Sequence, residues 1–291
     1  MGEKARGPGK LYLCATPIGN LEDITLRALA ILREVDLVAA EDTRRTRRLF
    51  ARYDIHTPLL SYREENRAAA GAKIIARLED GQKVALVSDA GMPGISDPGH
   101  HLVTMCIERG IAVEALPGPN AALTALVISG LPAARFAFEG FLPRKPGARR
   151  KALEALLDDA RTLVFYESPN RLAAALEDIE RVLGDREAAI ARELTKKFEE
   201  VMRGRVSELR ERVGAREVKG EIVLVVEGAA EAQVSTADRE AAVSEVLRLK
   251  EGGLSLKEAV GVVVGEMYPG MSRSALYNAA LERSKDVSRE D

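Results

Sequence analysis

Apolar runs of strand length alternate with stretches of helical period along most of this chain, and four of the runs end in loops of Gly, Pro and small polar residues. That alternation predicts an α/β fold, a largely parallel sheet covered by helices. Leu11–Ala15, Leu37–Ala40, Val84–Val87 and Ile111–Leu116 read as strands, followed by the loops Thr16–Asn20, Glu41–Arg45, Ser88–Gly99 and Pro117–Asn120. In an open α/β sheet, ligands bind beyond the carboxyl ends of the strands, where such loops converge. Glycine lets backbone approach a ligand closely and proline fixes the loop in advance. Four such loops at one sheet edge predict a binding site.

Gly130-Leu131-Pro132 reads as a hinge, after which the alternation restarts at Phe136–Leu142, Thr162–Tyr166, Ala188–Arg192 and Glu221–Val226. This places one α/β domain at 10–130 and a second at 131–229, and 291 residues are enough for both. The helix opened by Asn120 is apolar nearly all round (Ala122, Leu123, Leu126, Val127), which predicts burial. Gly228–Ala237 reads as a linker to a helical module at 238–291. There Ser255 and Glu258 form a capping box, and a turn at Tyr268-Pro269-Gly270 precedes a helix from Ser272, a helix-turn-helix-like pattern.

The apolar runs reach strand length only, so no membrane span is expected. Met1–Lys10 reads as a flexible tail rather than a signal peptide. Cys14 and Cys106 lie far apart with no CxxC partner, which suggests a reducing, cytoplasmic setting and no metal site. The net charge of −2 conceals three basic clusters. They are Arg44, Arg45, Arg47, Arg48 and Arg52; Arg144, Lys145, Arg149, Arg150 and Lys151; and Arg192, Lys196, Lys197, Arg203 and Arg205. Solvated surface explains any one of them about as well as function does. Two of the clusters follow strands directly, at the proposed ligand edge, which favours a polyanionic substrate, most simply nucleic acid.

No Gly-x-Gly-x-x-Gly follows the first strand and no P-loop exists, which argues against a dinucleotide site and a P-loop hydrolase. His56, His100 and His101 lack metal-ligand spacing, and no nucleophile elbow is present. A cleft of Gly, Pro, Asp and Asn backbone suits a cofactor that carries its own chemistry.

Six motifs in order resemble the ribosomal RNA small subunit methyltransferase I family: Thr16-Pro-Ile-Gly-Asn-Leu-x-Asp23, Glu41-Asp-Thr-Arg44, Ser88-Asp-Ala-Gly-x-Pro-x-Ile-Ser-Asp-Pro-Gly99, Pro117-Gly-Pro-Asn120, Glu167-Ser-Pro-x-Arg171 and Arg192-Glu-Leu-Thr-Lys196. The resemblance runs from Leu11 to about Leu281. It implies a two-domain tetrapyrrole-methylase-like fold (class III S-adenosylmethionine methyltransferase) with a small helical C-terminal module. It also implies S-adenosylmethionine as cofactor, 2′-O-methylation of a cytidine ribose in the decoding centre of 16S rRNA, the 30S subunit as partner, and a homodimer.

By the same resemblance, Asp89, Ala90, Gly91, Met92 and Ile95 hold the methionine and ribose of the cofactor, with Pro17 and Gly19 in the first loop. Asn120 and Ala121 lie beneath the cofactor, and Tyr166 and Leu194 lie near the adenine. Glu41, Asp42, Glu167 and Glu193 are candidate bases, while Arg44, Arg45, Arg171, Arg192, Lys196 and, in the C-terminal module, Arg273 are candidate RNA contacts. The same acids read equally well as partners of the neighbouring arginines. Two other functions compete, a tetrapyrrole methyltransferase and a non-catalytic RNA- or ribosome-binding protein; neither cofactor binding nor Arg-rich stretches suits all three.

Overall fold

Strands buried on both faces have continuous apolar sequence, as in Leu37-Val-Ala-Ala40, where every residue is inside. In the computed structural model, which describes residues 8–230, 236–268, 271 and 273–290, such strands build the middle of the first of two sheets. The chain divides into two compact units, 1–228 and 229–291. The expected tail at 1–10 gives way at Lys10, which opens a strand, and the expected linker at 228–237 ends by Thr236, which opens a helix. Residues 1–7 and 231–235 of these two segments, the turn residues Pro269 and Gly270, and Ser272 lie outside the described residues.

The first sheet contains β1 (Lys10–Cys14), β2 (Leu37–Ala40), β3 (Leu59–Ser61), β4 (Lys83–Val87) and β5 (Ala112–Leu116). Between them run α1 (Leu26–Glu34), α2 (Thr43–Tyr53), α3 (Arg67–Glu79) and α4 (Gly99–Glu108). The strand order is β3-β2-β4-β1-β5, and every pairing is parallel. Alternation sorts the side chains: Tyr12, Cys14, Val38, Ala40, Ala85 and Val87 pack under α1 and α2. Leu11, Ala39, Val84 and Leu86 pack under α3 and α4. Burial pushes the Cys14 thiol up to about 12 and that of Cys106 up to about 11, so both are inert core groups.

The second sheet holds β6 (Phe136–Phe141), β7 (Thr162–Glu167), β8 (Glu187–Arg192), β9 (Glu200–Arg205) and β10 (Ile222–Val226), in the order β6-β7-β10-β8-β9. Here the parallel expectation fails: only β6 and β7 run parallel, and the other pairings are antiparallel. The cause is β9, which turns straight back on β8 without a crossover helix. One face carries Leu163, Phe165, Ile190 and Leu224 against α6 (Pro146–Glu154), α7 (Pro169–Leu183) and α8 (Val206–Gly214).

The opposite face, with Val164, Ala189, Ala191, Val223 and Val225, is covered by α5 (Ala121–Ser129) through Ala122, Ala125 and Leu126. This shared apolar layer joins the two sheets. The expectation that α5 is buried all round is overturned: Leu123 is 47% and Val127 75% exposed, because the sheet covers only one side of the helix.

The second unit, taken by itself, packs α9 (Thr236–Glu251), α10 (Leu256–Val262) and α11 (Arg273–Glu290) around Ala242, Val246, Val260, Leu276 and Ala280. The capping box forms at α10, where Ser255 N–H donates to Glu258 Oε2 (3.0 Å) and Glu258 N–H donates to Ser255 Oγ (3.3 Å). No helix among the described residues is long and apolar enough to cross a membrane.

Candidate active site

A cavity of about 420 Å³ opens where the loops after β1, β2, β4 and β5 meet the second sheet, a volume typical of small-molecule sites. Its shape starts in backbone hydrogen bonds. Thr16 N–H donates to the Gly91 carbonyl (2.9 Å) and Gly91 N–H donates to the Thr16 carbonyl (3.0 Å), tying the loop after β1 to that after β4. Gly91 sits at φ +81°, a left-handed conformation that glycine adopts without strain.

Two aspartates hold the loops. Asp42 N–H donates to Asp89 Oδ1 (2.8 Å), with Arg45 Nε 3.6 Å from the other oxygen. Asp97 Oδ1 accepts from Gly94 N–H (2.8 Å) and Gly99 N–H (2.7 Å). Its second oxygen is buried with no hydrogen-bond partner.

The cavity's polar side is therefore acidic. Burial, then the nearby Asp89 and Asp97 carboxylates, push the Glu41 carboxyl above its ordinary value, against the opposing Asp89 backbone and Arg45. Burial likewise raises Asp97 despite its two N–H donors. Such a wall favours a cation. The far wall is apolar: Tyr166, Ala191 and Val223 continue the sheet face that α5 covers, and Phe141 meets Tyr166 edge-on at 5.6 Å between centroids.

Of the sequence candidates for cofactor binding, Asp89, Ala90, Gly91, Met92, Ile95, Asn120, Ala121, Tyr166 and Leu194 all line this cavity. Asn120 also caps α5, its side chain accepting from Leu123 N–H (3.0 Å). Pro17 and Gly19 stand outside the lining, and Ile18 between them enters it. Gly19 is used differently. A Cβ there would lie 2.5 Å from Lys196 Cγ, 2.7 Å from Thr195 Oγ1 and 2.9 Å from the Leu194 carbonyl oxygen. Asn20 N–H donates to Thr195 Oγ1 (2.9 Å), so the first loop is latched onto the segment after β8. Glu193 (φ 52°) and Thr195 (φ 66°) both take left-handed backbone in that segment. Hydrogen bonds hold them there, with Glu193 N–H donating to the Glu221 carbonyl (2.9 Å) and Thr195 N–H to Glu199 Oε2 (2.6 Å).

The four candidate bases separate. Glu41 and Glu167 line the cavity; Asp42 and Glu193 do not. Asp42 caps α2, and its hydrogen bonds from Arg44 hold its carboxyl below the ordinary range. Glu193 is lowered by its hydrogen bond from Lys196 Nζ at 2.8 Å. Glu167 is buried, accepting from Ser168 N–H (2.7 Å) with Arg171 3.3 Å from its other oxygen.

None of the candidate RNA contacts lines the cavity. Arg44 pairs with Asp42 (3.1 Å), and Arg171 donates to the Leu142 carbonyl besides facing Glu167. Arg192 faces Glu200 (3.3 Å) and donates to the Lys219 carbonyl, and Lys196 bridges Glu193 and Glu221. Arg273 begins α11 in the second unit and is exposed. Sequence reasoning missed Phe141 and Glu221 as lining residues. No local pattern marks either, since each is brought in by the second sheet's pairing.

S-adenosylmethionine suits this donor set. The left-handed turn at Gly91 presents backbone, the carboxylates suit its positive charge, and the apolar and aromatic wall suits its adenine.

The pattern of the Tetrapyrrole (Corrin/Porphyrin) Methylases matches residues 10–210. A Thermotoga maritima protein called ribosomal RNA small subunit methyltransferase I is 52% identical over 220 residues, 76% of this chain and 99% of that protein. One of the same name from Escherichia coli O157:H7 is 48% identical over 278 residues, 94% of this chain and 96% of that protein. Among solved structures, uroporphyrin-III C-methyl transferase from Thermus thermophilus, complexed with S-adenosyl homocysteine, shares the fold at a TM-score of 0.55. It is 22% identical, covering 75% of this chain and 97% of that one. The chain therefore belongs to the tetrapyrrole methylases and, by its identity to these relatives, to the ribosomal RNA small subunit methyltransferase I family.

Proposed function

We propose that this methyltransferase methylates the ribose 2′-hydroxyl of a cytidine in the decoding centre of 16S rRNA, acting on the 30S subunit in the cytoplasm as a homodimer. Family membership makes it an enzyme that draws its methyl group from S-adenosylmethionine. The relatives' name points to small-subunit ribosomal RNA, and the 2′-hydroxyl is what the family resemblance of the six motifs implies. The observation that carries the chemistry is Glu41, a carboxylate in the cavity wall whose affinity for a proton is raised by burial and by Asp89 and Asp97.

The sulfonium supplies an activated methyl group, so the protein's part is alignment and removal of a proton. Holding the hydroxyl in line is worth about 7–11 kcal/mol. A positioned base adds about 10²–10⁴-fold. Glu41 is assigned that role, with Glu167, fixed by Ser168 and Arg171, as the second carboxylate at the cavity. Asp42 and Glu193 are held by Arg44 and Lys196 and are poorer proton acceptors. The exposed Leu123 and Val127 on α5 suit a two-fold interface.

Incubation with labelled cofactor and 30S subunits, followed by mapping of alkali-resistant linkages in the RNA, tests the reading. A single 2′-O-methylcytidine in the decoding centre is expected. Label in a base, at another site, or only in a tetrapyrrole would overturn it.

A further inference from the structure

The three basic clusters are alike in sequence and unlike when folded. In the second sheet, Arg203 donates to the Ile128 and Ser129 carbonyls, and Arg205 lies 3.8 Å from Glu187. In α6, Arg149 is buried against Asp178 (2.6 Å), a carboxylate that Arg150 shares at 3.3 Å. Arg203, Arg205, Arg149 and Arg150 thus serve the fold, whereas Arg144, Lys145 and Lys151 are exposed and meet no carboxylate among the described residues. Helix α2 differs. It buries Thr46, Leu49 and Phe50 and turns Arg44, Arg45, Arg47, Arg48 and Arg52 outward, with no acidic residue between Thr43 and Tyr53.

Arg44 and Arg45 reach back to Asp42 and Asp89 at the cavity end. Arg47 and Arg48 meet no carboxylate among the described residues, and Arg52 lies over the Tyr53 ring, 5.5 Å from its centroid. The helix starts two residues after Glu41, which lines the cavity.

We propose that this arginine face is a track for the RNA phosphate backbone, with Arg47, Arg48 and Arg52 as its contacts and the cavity at its end. The inference rests on the RNA substrate proposed above and names the surface that holds it. The guanidinium fork matches phosphate oxygens in pairs. Arg44 to Arg52 covers about 12 Å along the helix axis, a stripe suited to a strand. The face is charged rather than aromatic, so it positions backbone and leaves the choice of nucleotide to the cavity. Arg171, Arg192 and Lys196 then serve the fold rather than the RNA.

The test measures binding of the full chain to 30S subunits across a salt series. Arg47→Ala/Arg48→Ala/Arg52→Ala should flatten the log–log slope by about 2, at roughly 0.7 per lost single-strand contact. The lysine triple should keep most of the slope, and S-adenosylmethionine affinity by calorimetry should stay at the wild-type value in both. An unaltered slope in the alanine triple, or loss only in Arg144→Ala/Lys145→Ala/Lys151→Ala, overturns the track while leaving the substrate intact. A wild-type chain that neither binds nor methylates 30S overturns the substrate reading and the track with it.

Discussion

The two sheets of the first unit meet one cavity by different means. In the first sheet every strand runs the same way, so its loops gather at one edge and bring Glu41, Asp89, Gly91 and Asp97 together. The second sheet is mixed and contributes the apolar wall of Tyr166, Ala191 and Val223. Its charges near the cavity are paired with one another: Arg171 with Glu167, Arg192 with Glu200, Lys196 with Glu193. On the first sheet burial, and after it neighbouring carboxylates, raise the proton affinity of Glu41 and Asp97. Parallel order concentrates chemistry at an edge, whereas mixed order supplies a wall and a latch.

The sharpest way to break this contrast is Gly91→Val. The position has room for a Cβ, with Ile18 Cγ2 and the Pro119 carbonyl oxygen each 3.5 Å away, but φ of +81° is denied to a β-branched residue. The loop must change course and give up its bonds to Thr16. S-adenosylmethionine binding should disappear by calorimetry while circular dichroism stays native. Retained affinity would mean that the second sheet's wall suffices.

Next in size is Glu41→Gln, expected to slow single-turnover methylation of 30S by about 10²–10⁴-fold. Glu193→Gln should stay close to the wild-type rate, because that carboxylate stands outside the cavity and holds Lys196. Equal losses in the two variants would erase the distinction between the sheets.

The same contrast decides what the sequence discloses. The central parallel strands are legible because burial on both faces leaves an uninterrupted apolar run, as in Leu37–Ala40. The short, half-buried parallel strand β3 carries no such signal and is not among the strands read from the sequence. Strand β9, Glu-Val-Met-Arg-Gly-Arg at the sheet's edge, has no such run and gives no strand signal in the sequence. The loop Asp89–Ile95 is legible because its glycines and prolines are local signals. The use of Gly19 is not, since its partner Thr195 lies 175 positions from Asn20. Likewise Arg149 and Arg47 look equivalent in basic stretches, and only the meeting of α6 with α7 puts Asp178 beside one of them.

Removal of 229–291 probes whether the cavity needs the helical unit. The Thermotoga relative is 99% covered by a match of 220 residues, close to the length of the first unit. The truncated chain should bind S-adenosylmethionine like the full chain and methylate 30S about tenfold less well, a loss of about 1.4 kcal/mol. Undiminished methylation would remove Arg273 from the RNA contacts. A smaller effect is expected at the latch, where Thr195→Val keeps the shape and deletes the acceptor for Asn20 N–H. Stability should fall by about 1 kcal/mol in urea titration. Cofactor affinity should weaken with it, and an unchanged affinity would show that the first loop needs no hold from the second sheet.

The smallest effect is the most direct reading of the crowded edge. Burial and two neighbouring carboxylates raise the Glu41 pKa, so its charged form opposes folding. The neutral form's advantage is complete below the ordinary carboxylate value and is lost as pH rises through the raised one. At neutral pH Glu41→Gln should therefore melt above the wild type. The gap should close as the solution is acidified and Glu41 takes up its proton. A variant that melts below the wild type at neutral pH would mean that the Asp89 backbone and Arg45 outweigh burial and repulsion. The first sheet's edge would then be as self-neutralised as the second sheet's, and the contrast between them would be one of shape alone.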